Sequence, residues 1–237
     1  MMYHEMEVEP SSSCPVIHER ALEQYIRCPC CYHRLRNAEH RMKWSWKEHV
    51  EQCVQEILND FFTLPMNSRT SSVIQRIMER RWTAKTFGFE SEEQHQSVKH
   101  VITAHLLMLL DAEGWSEQPM FLLQDMSIYI EELNTQLQMM FHVIEWYGSS
   151  DHPSYIIKKW FIHDEPHVIK SYLHLCLVFA YHTFGMMPAR MEVVTLLTGK
   201  SYIISPALDD IARSMDYIQL VGELMQENEN ELRSLKQ

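Results

Sequence analysis

Glycine is scarce in this chain of 237 residues, which has 6 glycines and 9 prolines. This composition excludes a collagen-like or low-complexity chain, and an apolar content of 46% excludes a largely disordered one. No apolar run approaches the roughly 20 residues that a membrane-spanning helix needs. The first ten residues contain three glutamates and no apolar segment, unlike a secretory signal. We therefore expect a cytoplasmic globular protein that does not enter a membrane.

Basic side chains are also few: the sequence has 21 Lys and Arg against 32 Asp and Glu, which gives a net charge of −11. This balance argues against a broadly basic surface for nucleic acid. Fourteen histidines could, if all were protonated, change the charge to −11 + 14 = +3. The sign of the net charge therefore depends on pH near the histidine pKa of about 6.5.

The hydrophobic pattern changes its period near the middle of the chain. Apolar residues recur at helical spacing up to about residue 110. Three short segments with strand-like composition follow, at Met126–Glu131, Leu137–Trp146 and Tyr155–Ile162. Because short loops join them, they predict an antiparallel meander.

The last third of the sequence alternates helix and hairpin signals. An apolar helix is expected over Pro166–Phe184, then a hairpin of Arg190–Leu197 and Ser201–Ile204, then a helix after Pro206. The whole order predicts a mixed α/β fold. We divide the chain into a flexible N-terminal segment (1–17), one domain (18–226) with a helical insertion (68–114), and a polar C-terminal tail (227–237).

Several short motifs occur in an order that resembles the RecB-like branch of the PD-(D/E)XK nuclease superfamily. Leu22–Pro29 resembles the helix that ends in an aromatic residue before Cys-Pro, and Tyr32 follows it. Trp46–His49 keeps the histidine of a Gly-x-x-His helix but loses its glycine. Pro188–Arg190 and Leu196–Lys200 resemble the closing hairpin. The resemblance implies a restriction-endonuclease-like core, with a mainly antiparallel sheet flanked by helices and a helical insertion before it.

The same resemblance implies that the catalytic motifs are degenerate. Active members carry a Gly-x-x-Asp strand, an (Asp/Glu)-x-Lys strand and a Gln-x-x-x-Tyr helix, whose carboxylates hold a divalent metal. Here Met139–His142 replaces the first motif, Lys158–Trp160 replaces the second, and Tyr172 and Cys176 stand in the third. Tyr155–Ile162 contains no acidic residue. We therefore expect a pseudo-nuclease with no catalytic residues and no cofactor.

An active enzyme with a migrated site is the second hypothesis, and it would use magnesium or manganese. Its candidate residues combine one histidine, two acids and two lysines: His49, Asp125, Glu145, Lys158 and Lys159.

Cysteine and histidine cluster near the N-terminus in a number sufficient for tetrahedral zinc. The candidates are Cys14, His18, Cys28, Cys30, Cys31 and His33. The usual pair of well-spaced Cys-x-x-Cys knuckles is missing, so zinc stays an alternative to no metal. In a chain of this length without a secretory signal, six cysteines indicate reduced thiols or ligands rather than a disulfide framework.

Local basic and aromatic residues suit single-stranded nucleic acid, although a solvated helix face with aromatics in the core is the preferred explanation for them. The candidates are Arg27, Arg34, Arg36, Arg41, Lys43, Trp44, Lys158 and Lys159. The leading hypothesis is a binding or structural component of bacterial DNA processing or repair, with single-stranded DNA or a larger protein complex as partner. The third hypothesis is a protein-interaction or regulatory module without nucleic-acid binding, which the acidic net charge favours.

Overall fold

A computed structural model of the protein describes residues 14–36, 45–84, 86, 88–112, 119–149 and 151–234. In this part of the chain, seven α-helices and one open sheet of six strands form a mixed α/β fold, as the sequence predicts. None of these helices is both long and apolar enough to cross a membrane.

The N-terminal half is helical apart from one short strand. Its elements are β1 (Val16–His18), α1 (Glu19–Arg27), α2 (Pro29–Arg36), α3 (Trp46–Phe62), α4 (Ser71–Arg81) and α5 (Glu92–Ala112). Caps fix two of the helix starts. The Ser45 N–H donates to the Glu48 carboxylate at 2.7 Å, which begins α3. The Ser91 hydroxyl accepts from the Gln94 N–H at 3.2 Å, which begins α5.

The C-terminal half supplies the other strands and two long helices. Its elements are β2 (Phe121–Ile130), β3 (Thr135–Ser149), β4 (His152–Phe161), α6 (Pro166–Phe184), β5 (Arg190–Thr195), β6 (Lys200–Ile204) and α7 (Leu208–Ser234). β2, β3 and β4 pair antiparallel, which confirms the predicted meander. β5 joins β4 in parallel after the α6 crossover and forms an antiparallel hairpin with β6.

The boundaries of several elements differ from those that the sequence predicts. Val16 and Ile17, assigned to the flexible segment, form β1 with His18 and pair in parallel with β3, because Ile17 packs into the core. β2 begins at Phe121, five residues before the predicted strand, since its pairing with β3 starts there. The backbone of α7 continues to Ser234, through most of the segment described as a tail.

Apolar side chains pack on both faces of the sheet, because successive residues of a strand point to opposite faces. On β4, Ile157 and Phe161 join a core formed with α1, α6 and α7. Trp160 joins a second core formed with α3, α4 and α5. α1 and α3 thus belong to different cores, and the cleft between them is the candidate site.

Candidate functional site

A cleft of about 400 Å³ lies between α1, α3 and the strands β2, β3 and β4. Five acidic side chains and one lysine line it: Glu19, Glu23, Glu48, Glu51, Asp125 and Lys159. Each helix contributes two of the acids, and β2 and β4 contribute Asp125 and Lys159. The tertiary structure therefore gathers charge of both signs from elements that are far apart in the sequence.

A buried ion pair forms the floor of this cleft. The Lys159 Nζ lies 2.6 Å from Glu19 Oε1, and the two side chains are 4% and 6% exposed. The second oxygen of Glu19 accepts the Met140 N–H at 2.9 Å. The ammonium of Lys159 also donates to the Met140 carbonyl at 3.4 Å. Both partners are thus satisfied within the protein, which a buried ion pair requires to offset desolvation.

Burial and neighbouring charge shift the pKa of Lys159, which belongs to this pair, and the pKa of Glu23, which lies beside it. Burial opposes the charged form of Lys159, but the carboxylates of Glu19 and Glu23 outweigh it and raise the pKa of Lys159. Burial, reinforced by the charge of Glu19, raises the pKa of Glu23 from 4.5 to about 8. At neutral pH the Glu23 carboxyl therefore retains its proton, and it acts on Lys159 as a carboxylate only at higher pH, where Lys159 itself titrates.

The acids of the cleft are spread out rather than focused on one point. Among the described residues, the one set of three potential metal-ligand side chains with ligand atoms within 4.8 Å of one another is Cys28, Cys30 and Cys31. A hard divalent cation such as magnesium needs several oxygen ligands at a common point. The cleft does not present such a set of three side chains in the described part of the chain.

The five candidate residues of the migrated site do not converge. Asp125 and Lys159 line the cleft together. Lys158 points to the opposite face of β4, where its Nζ lies 3.0 Å from Glu145 and 4.0 Å from Glu192. His49 is buried in α3 and does not line the cleft.

The candidates for nucleic-acid binding divide into three groups. Lys158 and Lys159 are buried and ion-paired, contrary to the expectation that they touch phosphate, because each faces a carboxylate inside the fold. Arg27 lies 2.5 Å from Glu165, and Arg34 is exposed on α2. Arg36 ends α2, but its side chain is not among those described. Arg41, Lys43 and Trp44 lie outside the described residues altogether.

Three of the six candidate zinc ligands come together at the junction of α1 and α2. Cys28 and Cys31 form a disulfide, and Cys30 Sγ lies 3.3 Å from Cys28 Sγ. The turn between the two helices thus brings Cys28 and Cys31 together as a disulfide-like pair, and Cys30 remains a free thiol beside them.

The other three candidate ligands have separate structural roles. Cys14 Sγ donates to the Asn134 carbonyl at 3.4 Å. His18 Nδ1 accepts the Arg20 N–H and caps α1. The buried His33 packs edge-on against Tyr25 and Tyr32. The cluster therefore consists of cysteines alone.

Sequence reasoning missed Glu19 and Glu23, the two acids nearest Lys159. Their spacing of four residues does place them on one face of α1. Leu22 and Tyr25, which are buried, flank that face. Two carboxylates next to the apolar face of a predicted helix could have indicated a buried charged site. Nothing in the sequence identifies Lys159 as their partner.

Comparison with known proteins assigns no family to this chain. No known protein family matches it, and no curated protein shows significant similarity to it. The function of the site must therefore be argued from its geometry.

Replacement of Lys159 by methionine should destabilise the protein by about 3–5 kcal/mol, because it leaves the Glu19 carboxylate buried without its counter-charge. The double variant Glu19→Gln/Lys159→Met should recover most of this loss, since glutamine keeps an acceptor for the Met140 N–H. Urea unfolding of the full chain measures both. Lys200→Met, which removes the exposed pair with Asp164, is the matched control and should cost about 0–1 kcal/mol. Equal losses of unfolding free energy in Lys159→Met and Lys200→Met would contradict a structural role for the buried Glu19–Lys159 pair.

The raised pKa of Glu23 predicts a specific pH dependence. Between pH 4.5 and about 8 the folded protein keeps a proton on Glu23 that the unfolded chain releases, so Glu23 makes stability fall as pH rises through this window. Glu23→Gln should remove that contribution and gain stability relative to wild type between about pH 5 and about pH 9. Urea unfolding at both pH values tests this. The exposed Glu79→Gln control should follow wild type, and an unchanged difference between wild type and Glu23→Gln would refute the shift.

Proposed function

We propose that the chain is a catalytically degenerate RecB-like PD-(D/E)XK nuclease-fold protein that acts as a binding or structural component in DNA processing or repair. The order of its elements supports this: helices, an antiparallel meander, the α6 crossover, a hairpin and a final helix. This is the order that suggested the family from the sequence motifs.

The cleft supports a specific correspondence with the family motifs. Lys159 is the β4 lysine that lines the cleft, so it matches the lysine of (Asp/Glu)-x-Lys better than Trp160 does. The position two residues earlier is then Ile157, which is buried and apolar. On β3, Met140 lines the cleft, whereas His142 is buried beside the Trp160 ring. Neither strand position offers an oxygen side chain for a cation.

The observation that carries the proposal is the Glu19–Lys159 ion pair. In an active member the lysine orients the nucleophile or stabilises charge in the transition state. Here a carboxylate from α1 holds the Lys159 ammonium at 2.6 Å, and the backbone of Met140 engages both partners. The pair at the floor of the cleft is thus a structural contact, in place of a lysine that is available to a substrate.

The second candidate, an active nuclease with a migrated site, is favoured by one observation. Asp125 lines the same cleft as Lys159, and Glu48 and Glu51 from α3 lie across it. A cation bound there would draw on these acids instead of the lost strand positions. The third candidate, a protein-interaction module, is favoured by the net charge of −11.

Nuclease assays separate the first two candidates. The purified full chain should leave single- and double-stranded DNA intact in magnesium or manganese, and calorimetry should detect no binding of either metal at millimolar concentration. Asp125→Asn and Glu51→Gln are the matched variants, because both side chains lie at least partly exposed. Cleavage by the wild type that either substitution abolishes would overturn the pseudo-nuclease and establish the migrated site.

Retention on immobilised single-stranded DNA separates the first and third candidates. Phosphate contacts release counterions, so binding should weaken steeply with salt. Arg34→Ala should weaken binding and lower the slope of log affinity against log salt by about 0.7, the value of one phosphate contact on a single strand. Arg213→Ala, an exposed arginine on α7, is the control and should behave as wild type. Absence of salt-dependent retention would favour the interaction module.

A further inference from the structure

The three cysteines lie at the junction of α1 and α2, at the opposite end of α1 from Glu19. α2 packs against α1 and α7. Two residues of α2, Tyr32 and His33, are buried against Tyr25 of α1. Cys28 ends α1 in an extended conformation, with φ −160° and ψ 93°, and Pro29 begins α2. This sharp change of chain direction brings Cys28 next to Cys30 and Cys31.

Two of the three sulfurs, those of Cys28 and Cys31, have polar neighbours. The Cys31 N–H, in the first turn of α2, donates to Cys28 Sγ at 3.2 Å. The guanidinium of Arg34 lies 3.6 Å from Cys31 Sγ. Backbone donors at a helix start and a neighbouring cation both stabilise a sulfur anion. Thiolates, rather than thiols, are the ligands of metal ions.

We propose that Cys28, Cys30 and Cys31, when reduced, bind one Zn²⁺ through three thiolates. The ligand atoms of these side chains already lie within 4.8 Å of one another. Each sulfur of a zinc site lies about 2.3 Å from the metal, so sulfurs that share one ion lie close together. Sulfur ligands select a thiophilic ion such as zinc over magnesium or manganese.

Charge also fits this ion. Three thiolates and one Zn²⁺ carry a net charge of −1, and Arg34 supplies a compensating positive charge beside Cys31. Cys30 is exposed, so the metal would face solvent and keep a fourth position for water or an external ligand. The site is therefore distinct from a closed structural zinc centre with four protein ligands.

Zinc binding and the Cys28–Cys31 disulfide exclude each other, because they use the same two sulfurs. An added dithiol supplies two electrons and two protons to this disulfide, which becomes two thiols while the dithiol becomes a disulfide. Zinc then displaces the protons from the three thiols, so its affinity should fall as pH falls.

The test uses the full chain, reduced with a dithiol and then freed of it without oxygen. Competition with a chromophoric chelator should show one Zn²⁺ per chain, and Co²⁺ in its place should give sulfur-to-metal charge-transfer absorption. Cys30→Ser should weaken zinc binding by at least about tenfold. Cys14→Ser removes a cysteine outside the cluster and should bind as wild type. Equal zinc affinity in wild type and Cys30→Ser, or no binding by the reduced wild type, would overturn the proposal.

Alkylation followed by mass spectrometry provides the second readout, because it reports each cysteine separately. In the reduced chain, zinc should protect all three cluster cysteines from alkylation. In the oxidised chain, Cys28 and Cys31 should be protected with or without zinc, and Cys30 should react in both cases. Reaction of Cys30 at the same rate in the zinc-treated and the metal-free reduced chain would also overturn the site.

Discussion

The buried ion pair between Glu19 and Lys159 fixes the arrangement on which the rest of the candidate site depends. One oxygen of Glu19 holds the lysine of β4, and the other holds the backbone of β3 at Met140. Charges buried to this extent are tolerated only when each has its partners. α1 is therefore held in one position against the sheet, and this position defines the cleft, the protonation of Glu23 and the direction in which the chain leaves α1.

Under the proposed function, the same contact accounts for a nuclease-fold protein that is stable without the catalytic chemistry of the family. A buried lysine needs a negative partner whether or not it catalyses a reaction. With Met140 and Ile157 on the strands, a carboxylate from α1 supplies that partner. Stability then selects for the pair itself, independently of any substrate. The remaining acids, Asp125 and those of α3, line the rest of the cleft.

The two proposed sites lie at opposite ends of one short helix. Glu19 begins α1, and Cys28 directly follows its last residue. Arg27, in the last turn of α1, contacts Glu23 one turn earlier and pairs with Glu165, beyond the end of β4. Carboxylates and a lysine lie at one end, and three cysteines lie at the other. Among the described residues, only the cysteines place three ligand atoms within 4.8 Å of one another.

Local sequence determined the elements whose signals are local: Pro166 and Gly185 bound α6 as predicted, since proline starts a helix and Gly185 ends it with φ +67°. Alternation likewise indicated the three strands of the meander, though not their full lengths. Only the tertiary structure decided the partners. Lys158 and Lys159 are adjacent in sequence, yet strand geometry sends them to Glu145 and Glu19 on opposite faces. Such contacts depend on the register and packing of distant segments, and no local pattern encodes them.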